Sequence, residues 1–350
     1  MNVVSRIVLL SAIAALSVPV FSMAADTGAT WKHPKTSWGE PDLQGMWPVS
    51  HLMSTPLERP EKFGNRLRYT PEELDGQRKQ VEAQNSQYEK EDKEHYLGFG
   101  HWVETTDVPA QTSLIVDPPN GRLPAQTEQG KAMSAKMGSS WTSKSFDSPA
   151  DFDAWDRCIT RGMPSTMFAA PYNSGIEFVQ SPGYVVINLE MIHDTRVIPT
   201  GRMPPLEGDV KQWLGSSRGH WEGNALVVET TNFNGEASMT AFTVRGSPIA
   251  PRATSTALKT VERFERTDAN HLIYTVTVSD PVTQAAPWTV QVTWKRDDGY
   301  QFYEYACHED NEAIRNYIVT SRMPGKPPAS SELWKNPNGE STGNPDRGAK

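Results

Sequence analysis

From residue 184 to residue 308 the chain repeats one grammar, short runs rich in β-branched and aromatic residues closed by turn chemistry. Residues 184–190, 225–231, 271–278 and 288–294 read as strands, because such side chains fit a pleated, half-buried surface. Residues 218–228 read as a hairpin turning at Glu222-Gly223-Asn224, and 256–279 as a longer one turning at residues 267–270. Strands joined this closely pair antiparallel. The expected fold is mainly β with a few peripheral helices, closed as an antiparallel barrel or stacked as a sandwich.

The N-terminus has the form of a targeting segment. Arg6 precedes an apolar stretch over residues 7–21, and Ser22-Met23-Ala24 places small residues where a signal peptidase reads. The stretch is shorter than the roughly 20 apolar residues of a membrane-spanning helix. We expect residues 1–24 to be a signal peptide and the protein to be periplasmic, a retained N-terminal anchor being the alternative. No cysteine follows the small residues, which argues against a lipoprotein. Secretion gives Cys158 and Cys307, the two cysteines, a role as a disulfide. A nucleophile, a metal thiolate or a pair of buried thiols are the other readings.

The net charge of −8 and pI near 5.6 argue against a nucleic-acid partner, which needs clustered Lys and Arg. No second apolar run suits a membrane span after signal cleavage. Eleven Trp and 27 Pro point to long fixed connections around flat apolar surface. Residues 25–165 read as an irregular and helical region packing on the barrel, with Trp31, Trp38 and Trp47 on an arm laid across it. Thr70-Pro71-Glu72-Glu73 is a strong helix start, and the helix it opens, to about residue 94, is polar nearly all round. Further helices are expected over 127–137 and 149–158, and one ending near residue 321. Residues 166–323 are then the barrel domain, and 324–350 a disordered tail rich in Pro, Gly, Ser and Asn.

Several stretches resemble a large group of secreted bacterial β-rich proteins without an assigned function. They are Pro41 to Trp47, Ile115 to Arg122, Asp156 to Gly162, Glu190 to Arg196, Gly219 to Phe233 and Tyr303 to Glu309. The resemblance spans roughly residues 40–320 and implies no particular reaction. The alternation of the β half is also similar to lipocalin-like (calycin-like) barrels, a likeness of fold that carries no ligand with it.

Chemistry is sought first on residues 184–198. Continued alternation would place His193 on one face with Val185, Ile187 and Leu189, pointing into an apolar interior. A desolvated histidine can act as general acid or base; equally, it can be a paired core residue. Glu190, Asp194 and Arg196 fall on the other face, as catalytic and substrate-orienting groups or as a structural ion pair. Glu304 and His308 share a strand face that could meet His193 at a barrel mouth. Arg157 and Arg161, flanking Cys158, are a candidate anion clamp or ion-pair partners of Asp153 and Asp156. Tyr305 is a candidate substrate-binding residue, and Trp288 and Trp294 are candidate apolar lining, with ordinary core as the alternative for the tryptophans. No HxH or HExxH spacing supports a metal, so no metal or other cofactor is expected, convergence of His193, His308 and a carboxylate on a metal being the alternative. Gly215 to Gly219 matches GxSxG, but a strand rather than a helix follows, so Ser217 is read as a turn residue.

These readings converge on a periplasmic barrel that binds a small apolar or aromatic molecule and acts on it by acid–base chemistry, as a lyase, isomerase or hydrolase. A non-catalytic carrier or sensor of a small hydrophobic ligand is the alternative, and a docking module using the tryptophan arm a third.

Overall fold

In β10 (Lys259–Arg266) and β11 (His271–Ser279) every second residue is buried, as the two-residue period of a strand with one covered face requires. The structure is a computed structural model and describes residues 31–94, 100, 103–140, 145–204, 206–239, 252–309 and 311–323. The expected signal peptide and C-terminal tail lie outside the described residues.

The two strands belong to a six-stranded sheet with β12 (Trp288–Lys295), β2 (Ile115–Asp117), β7 (Ala225–Thr231) and β6 (Ser216–Glu222), in the order β2-β12-β11-β10-β7-β6. A second sheet has the order β1-β3-β4-β5, from β1 (Gly45–Met46), β3 (Ile176–Ser181), β4 (Tyr184–Leu189) and β5 (Thr195–Pro199). All pairs within both sheets are antiparallel. β8 (Ser238–Met239) and β9 (Arg252–Ala253) make a separate two-stranded ladder. The N-terminal region therefore does more than pack on the sheets: β1 and β2 each supply an edge strand.

Among the described residues no backbone ladder joins the two sheets into a closed barrel. They come together where β6 passes β5. Gly219 permits this approach, since a Cβ there would lie 2.9 Å from Ile198 Cγ2. The space between the sheets is filled with rings. Phe264 stacks on Tyr274 at 5.0 Å, Tyr274 lies 4.7 Å from Trp294, and Phe178 from the smaller sheet meets Phe264 edge-on at 5.3 Å. Each such ring buries on the order of 200 Å², a gross gain of about 5 kcal/mol before chain entropy is counted. Trp47 joins this core from the N-terminal arm, buried and flanked by the Arg266 and Arg296 guanidinium groups.

The helices stay at the periphery. α1 (Pro71–Lys93) starts in a capping box, the Thr70 hydroxyl accepting from the Glu73 amide while the Glu73 carboxylate accepts from the Thr70 amide. No residue of α1 is buried, in keeping with its polar sequence. α2 (Glu128–Lys136) is capped by Thr127, and α3 (Ala313–Ser321) closes the described chain. Residues 149–158 are not the expected helix. Only Pro149–Asp151 makes a 3-10 turn, and the Asp153 side chain then accepts the Asp156 amide at 2.8 Å and diverts the backbone into turns. Among the described residues no helix is long and apolar enough to cross a membrane.

Candidate functional site

Residues 184–198 are not one strand. β4 ends at Leu189, a tight turn follows with a 3-10 segment at Met191–His193, and β5 returns from Thr195. The turn closes with the Leu189 amide donating to the Asp194 carbonyl at 2.8 Å and the His193 amide to the Glu190 carbonyl at 3.0 Å. Its backbone is strained: Ile192 has φ 61° and His193 φ 45°. For a β-branched residue such as Ile192 this is an outlier. His193 is consequently exposed, and its expected place on the interior face is corrected, because alternation stops at the turn.

Glu190 is drawn inward at the start of this turn. Its Oε1 accepts from Asn173 Nδ2 at 3.0 Å and from the Tyr303 amide at 2.8 Å; its Oε2 accepts from the Gly175 amide at 3.0 Å and from the Tyr300 hydroxyl at 2.5 Å. The same hydroxyl lies 3.1 Å from Glu104 Oε1, which also accepts the Ser174 amide at 3.0 Å. Burial, and secondarily the Glu190 charge, push the Glu104 carboxyl above the usual carboxylate range. Burial likewise pushes the Tyr300 phenol up.

Asp194, at the far end of the turn, accepts the Thr160 hydroxyl at 2.8 Å. Burial pushes its carboxyl up to about 6, against the opposing pull of Thr160, His193 and Arg196. Next to Thr160, Arg161 is buried and donates to the Phe168 carbonyl at 3.0 Å. Burial lowers its guanidinium to about 10, and the ionisable groups acting on it are the phenols Tyr305 and Tyr172. Those two rings lie parallel, 6.3 Å apart, over a small apolar cluster of Trp155, Ala170, Met191 and Ile192.

Residues 300–307 are an irregular, largely exposed strap. Tyr300 and the Tyr303 amide tie one end to Glu190, and the Cys158–Cys307 disulfide ties the other, with 5.7 Å between the Cα atoms. Three of the resemblance-bearing stretches, 156–162, 190–196 and 303–309, thus meet at one place. Of the five non-glycine residues with positive φ among the described residues, four lie here: Cys158, Asn173, Ile192 and His193. Such strain persists only where its surroundings enforce it, and it concentrates at working sites. Near the disulfide, Asp153 is also pushed up to about 6, by burial and then by Asp156.

The remaining predicted residues divide clearly. Glu190, Asp194, Arg161 and Tyr305 come together with the disulfide. Arg196 does not: it lies in the core, donating through Nη1 to Glu262 Oε1 at 2.9 Å and through Nη2 to Glu262 Oε2. Trp288 and Trp294 are fully buried core residues and line no open pocket. His308 and Glu304 are exposed on the strap and the turn after it, which is no strand, so the shared strand face expected for them is absent; among the described residues no hydrogen bond or ion pair joins His308 to His193. Ser217 is buried in β6 with its hydroxyl 2.9 Å from that of Thr230. Glu104, Thr160, Tyr172 and Tyr300 were not anticipated. No local pattern marks them, since each acts through a partner distant in sequence. Among the described residues no group of three or more His, Cys, Asp or Glu is placed to hold a metal. A cavity of about 10 Å³, lined by residues including Leu57, Leu114 and Phe168, has room for one water at most.

Compared with known proteins, the chain matches no family model, no curated protein and no solved structure.

Proposed function

We propose that this is a secreted protein of the bacterial envelope that binds a small, largely apolar or aromatic molecule at the β4–β5 turn. It acts on that molecule by acid–base chemistry, as a lyase, isomerase or hydrolase. The observation that carries the reading is Asp194, a carboxyl pushed up to about 6 by burial while its neighbour His193 stays exposed. A carboxyl so tuned exchanges protons near neutral pH, the condition for an effective general acid or base. Thr160 orients it, the strained turn fixes its position, and Tyr172 with Tyr305 supplies flat apolar surface nearby. A lipocalin-like cage, as an enzyme or a carrier would use, needs space between the sheets, and the ring stack of Phe178, Phe264, Tyr274 and Trp294 fills it. This filled core supports the turn, rather than a cage between the sheets, as the ligand site.

The test is turnover of a panel of small aromatic esters, hydroxy acids and enolisable ketones, followed by mass spectrometry. Loss of a positioned acid–base group costs roughly 10²–10⁴-fold in rate, so Asp194→Asn should fall by at least the lower figure. Turnover at the wild-type rate in both Asp194→Asn and His193→Ala rejects the proposal.

A further inference from the structure

A tyrosine hydroxyl carries one proton, yet Tyr300 Oη lies within hydrogen-bond distance of two carboxylates, Glu190 at 2.5 Å and Glu104 at 3.1 Å. All four partners of Glu190 are N–H or O–H donors, the pattern of a carboxylate that only accepts. The Tyr300 proton belongs to this shorter contact. The longer contact is then a repulsion between lone pairs unless Glu104 brings a proton of its own and donates to Tyr300 Oη.

We propose that Glu104, Tyr300 and Glu190 form a single-proton latch that holds the 300–307 strap on the β4–β5 turn, closed while Glu104 is protonated and loosened when both glutamates are ionised. The titratable groups facing Glu104 are Glu190, from the turn, and Tyr300, from the strap; its other neighbours, Ser174 and Ser50, are neutral. Around Glu190 the remaining partners, Asn173, Gly175 and Tyr303, are neutral as well. Beneath the strap lie Arg161 and Tyr172, facing the strap's own Tyr305, and further along the turn Asp194 is engaged with Thr160 and His193. Of the groups that act on Glu104, which are Ser174, Tyr300, Glu190 and Ser50, none is a cation that would offset a second negative charge. Packing leaves little slack: a Cβ at Gly175 would meet Phe302 Cε1 at 2.5 Å, Tyr300 Cε1 at 2.6 Å and Glu190 Oε2 at 2.7 Å. The strap can therefore come off Glu190 but cannot slide across it.

The sign follows from linkage. Glu104 holds its proton more firmly in the closed state, which burial favours. As pH rises past the ordinary glutamate range the open state loses its proton first, and closure weakens until the closed state ionises too. The latch is tight in acid and loose at alkaline pH. It is independent of the Asp194 reading above.

Hydrogen–deuterium exchange of the non-reduced full chain tests it, with protection factors for peptides covering 300–307 between pH 5 and pH 8.5 and α1 peptides as an internal reference. Wild-type protection of the strap should fall severalfold across that range as the closed state loses its proton. Glu104→Gln, whose amide donates to Tyr300 Oη at every pH, should stay protected throughout. Tyr300→Phe should be unprotected throughout. Constant wild-type protection overturns the proposal whatever the variants do. So does a Glu104→Gln or Tyr300→Phe strap that keeps the wild-type pH profile.

Discussion

Arg196 on β5 and Glu262 on β10 form a two-pronged ion pair in the space between the two sheets, with both side chains almost wholly buried. The Tyr274 hydroxyl donates to Glu262 at 3.0 Å, and the Ser217 and Thr230 hydroxyls sit 3.4 Å from Arg196 Nη2. Four strands of one sheet and one of the other thus converge on a single charge pair. Removing one partner leaves an uncompensated buried charge, so Arg196→Met or Glu262→Leu alone should cost about 3–5 kcal/mol. The double variant Arg196→Met/Glu262→Leu should recover most of that loss. Urea unfolding of the four proteins in a double-mutant cycle measures it; additive losses would contradict a coupled pair.

Asp194 makes a separate prediction about pH. Its carboxyl is near 6 in the folded protein against an ordinary value of 3.8, so the folded state binds the proton more tightly. Stability from this group is fully present below about pH 4 and is lost as pH rises towards 6 and beyond, a difference of about 3 kcal/mol. Asp194→Asn removes the ionisation and should be more stable than the wild type at pH 8, with the gap closing by pH 4. Thermal melts at the two pH values read this directly. Together with lost turnover, a gain in stability would mark a residue kept for its chemistry.

The disulfide closes a loop with a sequence separation of 149. Chain entropy for a loop of that length gives roughly 5 kcal/mol at most, and removal of native disulfides costs about 2–5 kcal/mol. Cys158→Ser/Cys307→Ser should lose stability in that range, and strap peptides should exchange faster than those of β10 and β11. An unchanged unfolding midpoint in urea would be inconsistent with this role.

Gly175 offers a purely steric probe of the strap. A methyl group there collides with Tyr300, Phe302 and Glu190, and overpacking of this kind costs about 1–3 kcal/mol. Gly175→Ala should lift the strap at every pH, leaving a flat exchange profile without altering any charge. Exchange of the 300–307 peptides checks it.

What the sequence determined by itself is the local code. The capping box at Thr70 and Glu73, the hairpin turn at Gly223 and the alternation of β10 and β11 are written in neighbouring residues. The turn after Leu189 is not. Residues 190–194 contain no glycine, proline or asparagine, so the alternation of β4 reads straight through to β5. The chain bends there because partners up to 113 residues away draw Glu190 inward. Only the tertiary structure, through that bend, moves His193 out to solvent and leaves Asp194 half-buried beside Thr160. Arg196 sits with Glu190 and Asp194 in sequence, yet its charge is satisfied by Glu262, 66 residues on, across the core. Glu104 and Tyr300 are 196 residues apart and meet within hydrogen-bond distance. Periodicity registers which face of a strand is covered; it holds no information on which distant carboxylates a hydroxyl will meet, because that depends on how two sheets and a strap are packed.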